Sequence, residues 1–176
     1  MLTTALLAAA LHAPPNNVAA NWPTIVEALR ELGITAPESL AAAAATIGVE
    51  CPTFTPRCEQ FNGDPHVYFA RYDGRKDLGN TQPGDGYKFR GRGYVQITGR
   101  ANYARYGALL GTDLVSNPDR VLDPNTAAAV FAAFFYERGI DKAARRSDWP
   151  GVRRAVNGGL NGYAEFLHYV TALTHQ

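Results

Sequence analysis

The chain has 176 residues, 46% of them hydrophobic, and its 17 Lys and Arg nearly balance 16 Asp and Glu. A chain of this length forms one domain with a core large enough to fold unaided, and a net charge of +1 supplies no bulk field to dictate a partner. Two cysteines, Cys51 and Cys58, make neither a disulfide framework nor a metal site, and no cofactor motif accompanies them.

The charge is unevenly spread. Residues 1–50 hold a single basic residue, Arg30, against four carboxylates, whereas residues 71–105 hold eight basic and three acidic residues. That middle segment suits an anionic polymer such as a cell wall or nucleic acid, or simply a solvated face.

The opening MLTTALLAAALHA is apolar but lacks a basic start and is too short to cross a bilayer, so it reads as a first helix with no export signal or anchor. Pro14, Pro15 and the asparagines after them end it. From Trp22 to Leu32, Ile25, Val26, Leu29 and Leu32 fall at helical spacing, and Gly33 stops the run. Thr35 and Glu38 spell a Thr-x-x-Glu capping box for a further helix, with Pro37 in its first turn and alanines through Leu40 to Ile47. This helix must end near Glu50, because Pro52 disfavours helical geometry at Cys51 and removes a donor just beyond. A carboxylate there lies near the negative end of the helix macrodipole, where the neutral acid is favoured.

Glu59 follows nine residues later. A continuous helix would set the two carboxylates about 13 Å apart on opposite faces, and a strand about 30 Å apart. Pro52 and Pro56 exclude the helix, so the chain must turn between them. A Cys51–Cys58 bridge would close that turn beside both glutamates; two reduced thiols are the alternative, preferred for a protein made in a cytoplasm.

Residues 62–82 are loop-like apart from the short apolar run Val67, Tyr68, Phe69 and Ala70. Tyr68, Tyr72 and Tyr87 line a cleft or fill gaps in a small core. After the turn at Pro83–Gly86, Gly91 and Gly93 allow a tight path, and Tyr94–Thr98 reads as a short strand. Alternation would put Val95 and Ile97 in the core and Tyr94, Gln96 and Thr98 on an open polar floor, or on a solvated edge. The chain turns helical after Gly99, with Asn102 and Tyr103 in the first turn. Asp123–Pro124 starts the most buried helix, which runs through Val130, Phe131, Phe134 and Phe135 to Gly139. Helices over Trp149–Val156 and Tyr163–Leu173 flank a glycine-rich stop. With no repeat and no linker, residues 1–176 read as a single domain.

The stretch GRGYVQITGRANY, residues 91–103, resembles the signature of glycoside hydrolase family 19, the chitinase-like enzymes, and in particular their compact bacteriophage-endolysin and cell-wall-lytic branch. AVNGGLNG, residues 155–162, is similar to a second motif of that family, a glycine-rich turn beside the cleft. The resemblance extends over roughly Trp22 to Tyr169. It implies a mainly α, α+β lysozyme-like fold: a helical two-lobed domain with a short β element flanking a substrate cleft. It also implies metal-free, cofactor-free hydrolysis with inversion. Glu50 would be general acid, Glu59 general base, and Thr98 the holder of the nucleophilic water. Gln96 and Asn102 would bind N-acetyl groups, with Tyr103 and Asn157 completing the cleft. The family's acid sits in a His-Glu-(Ser/Thr)-Gly-Gly context, whereas here it reads Val49-Glu50-Cys51-Pro52-Thr53; the helical register on either side, and Phe54 after it, select Glu50. Asp64 is the next candidate for the base.

The expected substrate is the β-1,4-linked glycan of bacterial peptidoglycan, cut by a monomer acting alone or as one domain of a larger lysin, made in a host cytoplasm and acting on the wall after release. Chitin is the alternative polymer, and a wall-binding module without activity is the alternative class. Nucleic-acid binding through Arg90, Arg92, Arg100 and Arg105 finds little support in the balanced charge, and no membrane insertion is expected.

Overall fold

Proline decides where the first helices begin. In the structure, a computed structural model describing residues 2–175, α1 (Thr4–Ala10) is capped by the Thr3 hydroxyl, which accepts the Leu6 N–H at 3.2 Å. Helix α2 (Pro15–Glu31) starts on Pro15, earlier than the expected Trp22, because a proline at the first helical position has no N–H to leave unpaired. Its buried residues Val18, Asn21, Trp22, Ile25 and Leu29 form one stripe, and Pro23 is exposed on the other side. Helix α3 (Pro37–Glu50) likewise begins with proline. The expected Thr35 capping box does not form: Ala36 is the cap and makes no side-chain bond. The helix ends at Glu50 as Pro52 requires.

The described residues pack into two compact units. One combines residues 2–55 with 131–175. It holds α1, α2, α3, the second half of α7 (Pro124–Glu137), α8 (Ile140–Ala144), α9 (Trp149–Asn157) and α10 (Tyr163–Thr174). Alanines at 41–45 bury the centre of α3 with no side-chain entropy to lose. A Cβ on Gly48 would stand 3.1 Å from the Tyr169 ring and 3.2 Å from Leu11, so α10 and the residue that follows α1 approach this helix closely because glycine is there. After Glu50 the chain folds back on itself. The Cys51 thiol donates to Thr55 O at 3.0 Å, Asn17 Nδ2 donates to Thr53 O at 2.8 Å, and Phe54, at φ 56°, packs edge-on to Trp22. Both cysteines are free thiols.

Residues 56–130 form the other unit. Its sheet pairs β1 (Arg57–Cys58) antiparallel with β2 (Arg92–Gly93), Arg57 opposite Gly93 and Cys58 opposite Arg92. The expected strand over Tyr94–Thr98 is not formed. Gly93 at φ 86° and Gln96 at φ 51° turn the chain through Tyr94–Gln96, and only Ile97 returns to bridge Arg92. Tyr94 therefore goes into the core with Ile97, and the alternation fails.

The stretch expected to be loop contains α4 (Pro65–Phe69), whose N-terminal Asp64 accepts the His66 N–H at 2.8 Å, followed by 3-10 turns at Ala70–Tyr72 and Lys76–Leu78. Helices α5 (Asp85–Lys88) and α6 (Arg100–Leu109) and a 3-10 turn at Pro118–Leu122 complete the unit around Phe69, Phe89, Tyr103 and Val121. Much of the basic excess is structural. Buried Arg92 pairs with Asp119 at 2.7 Å and also donates to Lys88 O, Arg90 O and the Tyr103 hydroxyl; Arg100 pairs with Asp85 at 2.5 Å.

Candidate active site

Glu50 is the last residue of α3, 27% exposed at its side chain, and its Oε1 lies 2.5 Å from Arg153 Nη1. Arg153 is the residue that sequence reasoning missed. Its side chain is 4% exposed, and Nε donates to Asn161 O at 2.6 Å. Trp149, Val152, Arg153 and Val156 occupy adjoining positions of one face of α9; a cation on such a stripe is the signal that a carboxylate partner stands opposite.

The glycine-rich turn after α9 seats this arginine. Asn157 Nδ2 donates to Asn161 O at 2.9 Å, and its Oδ1 accepts the Gly159 N–H at 2.9 Å, so the Asn161 carbonyl is fixed where Arg153 meets it. Gly162 sits at φ 70°, and a Cβ there would stand 3.1 Å from Arg153 Nη2.

Glu59 directly follows β1, and its N–H donates to Gly91 O at 2.8 Å. Its side chain is 22% exposed, and both oxygens are held. Oε1 accepts the Tyr72 hydroxyl at 3.0 Å and Arg71 Nη2 at 3.2 Å, while Oε2 accepts the Gly91 N–H at 3.3 Å. Burial pushes the Tyr72 phenol above its usual range, and acceptance by Glu59 adds to that against the opposing pull of Arg71; Tyr72 stays a donor at neutral pH. The Arg71 guanidinium lies over the Tyr68 ring at 3.8 Å and the Tyr72 ring at 4.9 Å.

The residues of the GRGYVQITGRANY stretch divide by what they have left to offer. Gln96 Nε2 donates to Arg57 O at 2.8 Å and Gly93 O at 2.9 Å, tying the two strands together and leaving Oε1 as its remaining polar atom. Thr98 Oγ1 donates to Gln96 O at 3.0 Å and keeps its acceptor capacity. Asn102 Nδ2 donates to Thr98 O at 2.7 Å. A Cβ on Gly91 would meet Gln96 Oε1 at 2.9 Å and Glu59 Oε2 at 3.2 Å, so these two acceptors crowd the same point.

Tyr103 differs from its expected place in the cleft. It is wholly buried, donates to Arg90 O at 2.7 Å and accepts Arg92 Nη1 at 2.9 Å, and burial pushes its phenol up to about 12. It supports the site from within. Asp64, the reserve candidate for the base, is committed to capping α4.

Residues 70–154 match the family model described as Chitinase class I. That stretch includes Arg71, Tyr72, Gln96, Thr98, Asn102 and Arg153, whereas Glu50 and Glu59 lie before it. A glycosyl hydrolase family 19 domain-containing protein of Haemophilus influenzae is 40% identical over 105 residues, 58% of this chain and 49% of that protein. An Arabidopsis thaliana endochitinase is 30% identical over 138 residues, 76% of this chain and 48% of that protein. The chain thus spans about half the length of these curated relatives. Among solved structures, a bacterial family 19 chitinase superposes with TM-score 0.70 at 19% identity, covering 98% of this chain and 94% of that one. Chitinase C of Streptomyces griseus superposes with TM-score 0.67 at 17% identity, covering 98% and 74%. The mainly helical fold with its small antiparallel sheet is the fold of these enzymes, and the chain belongs to glycoside hydrolase family 19 through a chitinase class I domain.

Proposed function

We propose that the chain, working as one catalytic domain, hydrolyses β-1,4-glycosidic bonds with inversion, Glu50 acting as general acid and Glu59 as general base. The observation that carries this reading is the way each glutamate is held. Glu50 is anchored by Arg153 and Glu59 by Tyr72, Arg71 and the Gly91 N–H, yet each keeps about a quarter of its side chain open. Surface charges are seldom so constrained, and reacting carboxylates must be both oriented and reachable.

In this mechanism Glu50 protonates the leaving oxygen while Glu59 takes a proton from the attacking water, which needs the two carboxyls about 6.5–9.5 Å apart around that water. Thr98 Oγ1, already donating to Gln96 O, accepts an O–H from the water and orients it. Gln96, with both amide hydrogens used, can only accept, which suits the N–H of a sugar N-acetyl group. Asn102 and Asn157 would contact the glycan at their remaining polar atoms, and Tyr68 would offer its ring edge.

The substrate proposed is the glycan strand of bacterial peptidoglycan, cleaved by a monomer acting on the wall of a lysing cell. Chitin is the second reading, favoured by the names of the endochitinase and chitinase relatives. Wild type, Glu50→Gln and Glu59→Gln assayed on purified peptidoglycan and on N-acetylglucosamine hexamer test both. Each substitution should lower turnover by about 10²–10⁴-fold, the usual worth of a general acid or base. Equal clearing by all three chains would eliminate the catalytic roles, and a first-formed β-anomer seen by NMR would eliminate inversion.

A further inference from the structure

Glu59 has two oxygens, and its surroundings treat them differently. Arg71 Nη2, the Tyr72 hydroxyl and Glu59 Oε1 close a triangle with sides of 3.2, 3.0 and 3.2 Å. A guanidinium nitrogen can only donate, so Nη2 gives one hydrogen to the hydroxyl and the other to Oε1. The hydroxyl accepts from Arg71 and has its own hydrogen left for Oε1, so this rotor is fixed by its neighbour. Two donors thereby fill both acceptor positions of Oε1. Oε2 accepts one longer bond, from the Gly91 N–H at 3.3 Å, and has no second partner among the described residues. It is also the oxygen that approaches the GRGYVQITGRANY stretch, crowding the point beside Gly91 that Gln96 Oε1 crowds from its own side.

A carboxylate oxygen that already receives two donors cannot take another hydrogen without displacing one. We infer that Tyr72 and Arg71 are positioning residues that reserve Oε2 as the atom of Glu59 that takes the proton from the attacking water. The inference rests on the glycosidase reading above and goes beyond it by naming the reacting oxygen and the hydroxyl that selects it. In the step, a water O–H bond breaks as the water oxygen bonds the anomeric carbon, and the proton goes to Oε2. The leaving oxygen departs with the electron pair of the glycosidic bond and takes the proton of Glu50. Oε1 keeps both donors throughout, so the carboxyl does not swing as its charge is lost. The donors are themselves held. The Tyr72 ring lies 6.2 Å from that of Phe69, and the Arg71 guanidinium rests on the rings of Tyr68 and Tyr72.

The test measures kcat, KM and melting temperature for wild type, Tyr72→Phe, Arg71→Gln, Arg71→Lys, the double variant Arg71→Gln/Tyr72→Phe and Glu59→Gln, on N-acetylglucosamine hexamer and on purified peptidoglycan. Tyr72→Phe keeps the ring and removes the hydroxyl. Its kcat should fall about 10- to 100-fold, the worth of a charge-assisted bond, with KM and melting temperature close to wild type. A residue that merely packs would move the melting temperature and leave kcat alone. Arg71→Gln should also lose kcat and Arg71→Lys less of it, while the double variant should lose less than the product of the two single losses, because the guanidinium works partly through the hydroxyl it orients. A kcat for Tyr72→Phe within about twofold of wild type, a loss carried wholly by KM, or single losses that multiply overturns the inference and leaves Glu59 as the proposed base. Should Tyr72→Phe melt well below wild type, the Arg71 variants decide: kcat restored toward wild type by Arg71→Lys relative to Arg71→Gln supports the inference, and equal values overturn it. Glu59→Gln as active as wild type, or wild type inactive on both polymers, removes the glycosidase reading and the inference with it.

Discussion

Arg153, nearly buried, holds the Glu50 carboxylate at 2.5 Å across 103 residues of sequence. Breaking such a pair from one side leaves an uncompensated charge, which costs about 3–5 kcal/mol when buried. Glu50→Leu should therefore destabilise the protein by an amount in that range, while Glu50→Gln, which keeps an acceptor for the guanidinium, should cost about 1–2 kcal/mol. Chemical denaturation of the two variants checks this. Equal losses would show that the guanidinium is solvated.

Two glycines separate positioning from folding. At Gly86 an added Cβ would lie within bonding range of the Phe69 carbonyl, which is backbone and cannot yield; Gly86→Ala should cost several kcal/mol, on the order of 3 or more, as overpacking does. At Gly91 the two nearest atoms are the ends of the Gln96 and Glu59 side chains, at 2.9 and 3.2 Å, which can move, and Glu59 Cβ at 3.3 Å needs to give only slightly. Gly91→Ala should keep a melting temperature close to wild type but lose turnover by about tenfold or more, because it displaces the carboxylate. Paired melting and activity measurements distinguish the two.

Acid should weaken the unit built on residues 56–130 through Asp85. This carboxylate is 2% exposed and receives Arg100, the Thr81 N–H and the Gln82 N–H; the Arg100 guanidinium above all holds its carboxyl below the usual range. A group with a depressed folded pKa contributes stability that is whole above the unfolded value, about 4, and lost as pH falls toward the folded one. Denaturation midpoints should decline below about pH 4, and Asp85→Asn should flatten that decline while lowering stability at neutral pH.

Tyr103 makes the opposite case at high pH. Its phenol is pushed up to about 12 by burial, so its contribution is whole below the unfolded value of about 10 and disappears as pH rises toward 12. Ultraviolet titration should show one tyrosine ionising near pH 12, absent in Tyr103→Phe. That variant should also lose about 1–3 kcal/mol, because Arg90 O and Arg92 each lose a buried partner.

The helices were legible wherever a backbone rule decides. Pro52 ended α3 on Glu50, Asp123–Pro124 opened α7, and Gly158 closed α9, since these residues act through their own geometry. Pro15 misled because proline can start a helix as readily as follow one. The segment Tyr94–Thr98 misled because β-branched and aromatic composition outvoted Gln96, whose positive φ no composition announces. Glu50 and Glu59 emerged from the family likeness and from proline logic. Arg153 and Arg71 did not: the stripe on α9 marks Arg153 as inward-facing, but no pattern names an acid 103 residues away, and Arg71 meets Glu59 12 residues off across a turn, outside any period.

The unit that carries Glu59 is a continuous stretch, residues 56–130, whereas the one that carries Glu50 needs both ends of the chain. A nascent polypeptide can therefore finish the first while the second still lacks its closing helices. Glu50 gains its counter-ion only once position 153 has been translated. A message cut short before that codon would yield a product with Glu59 already clamped and Glu50 lacking Arg153, so the proposed acid–base pair is completed late in synthesis.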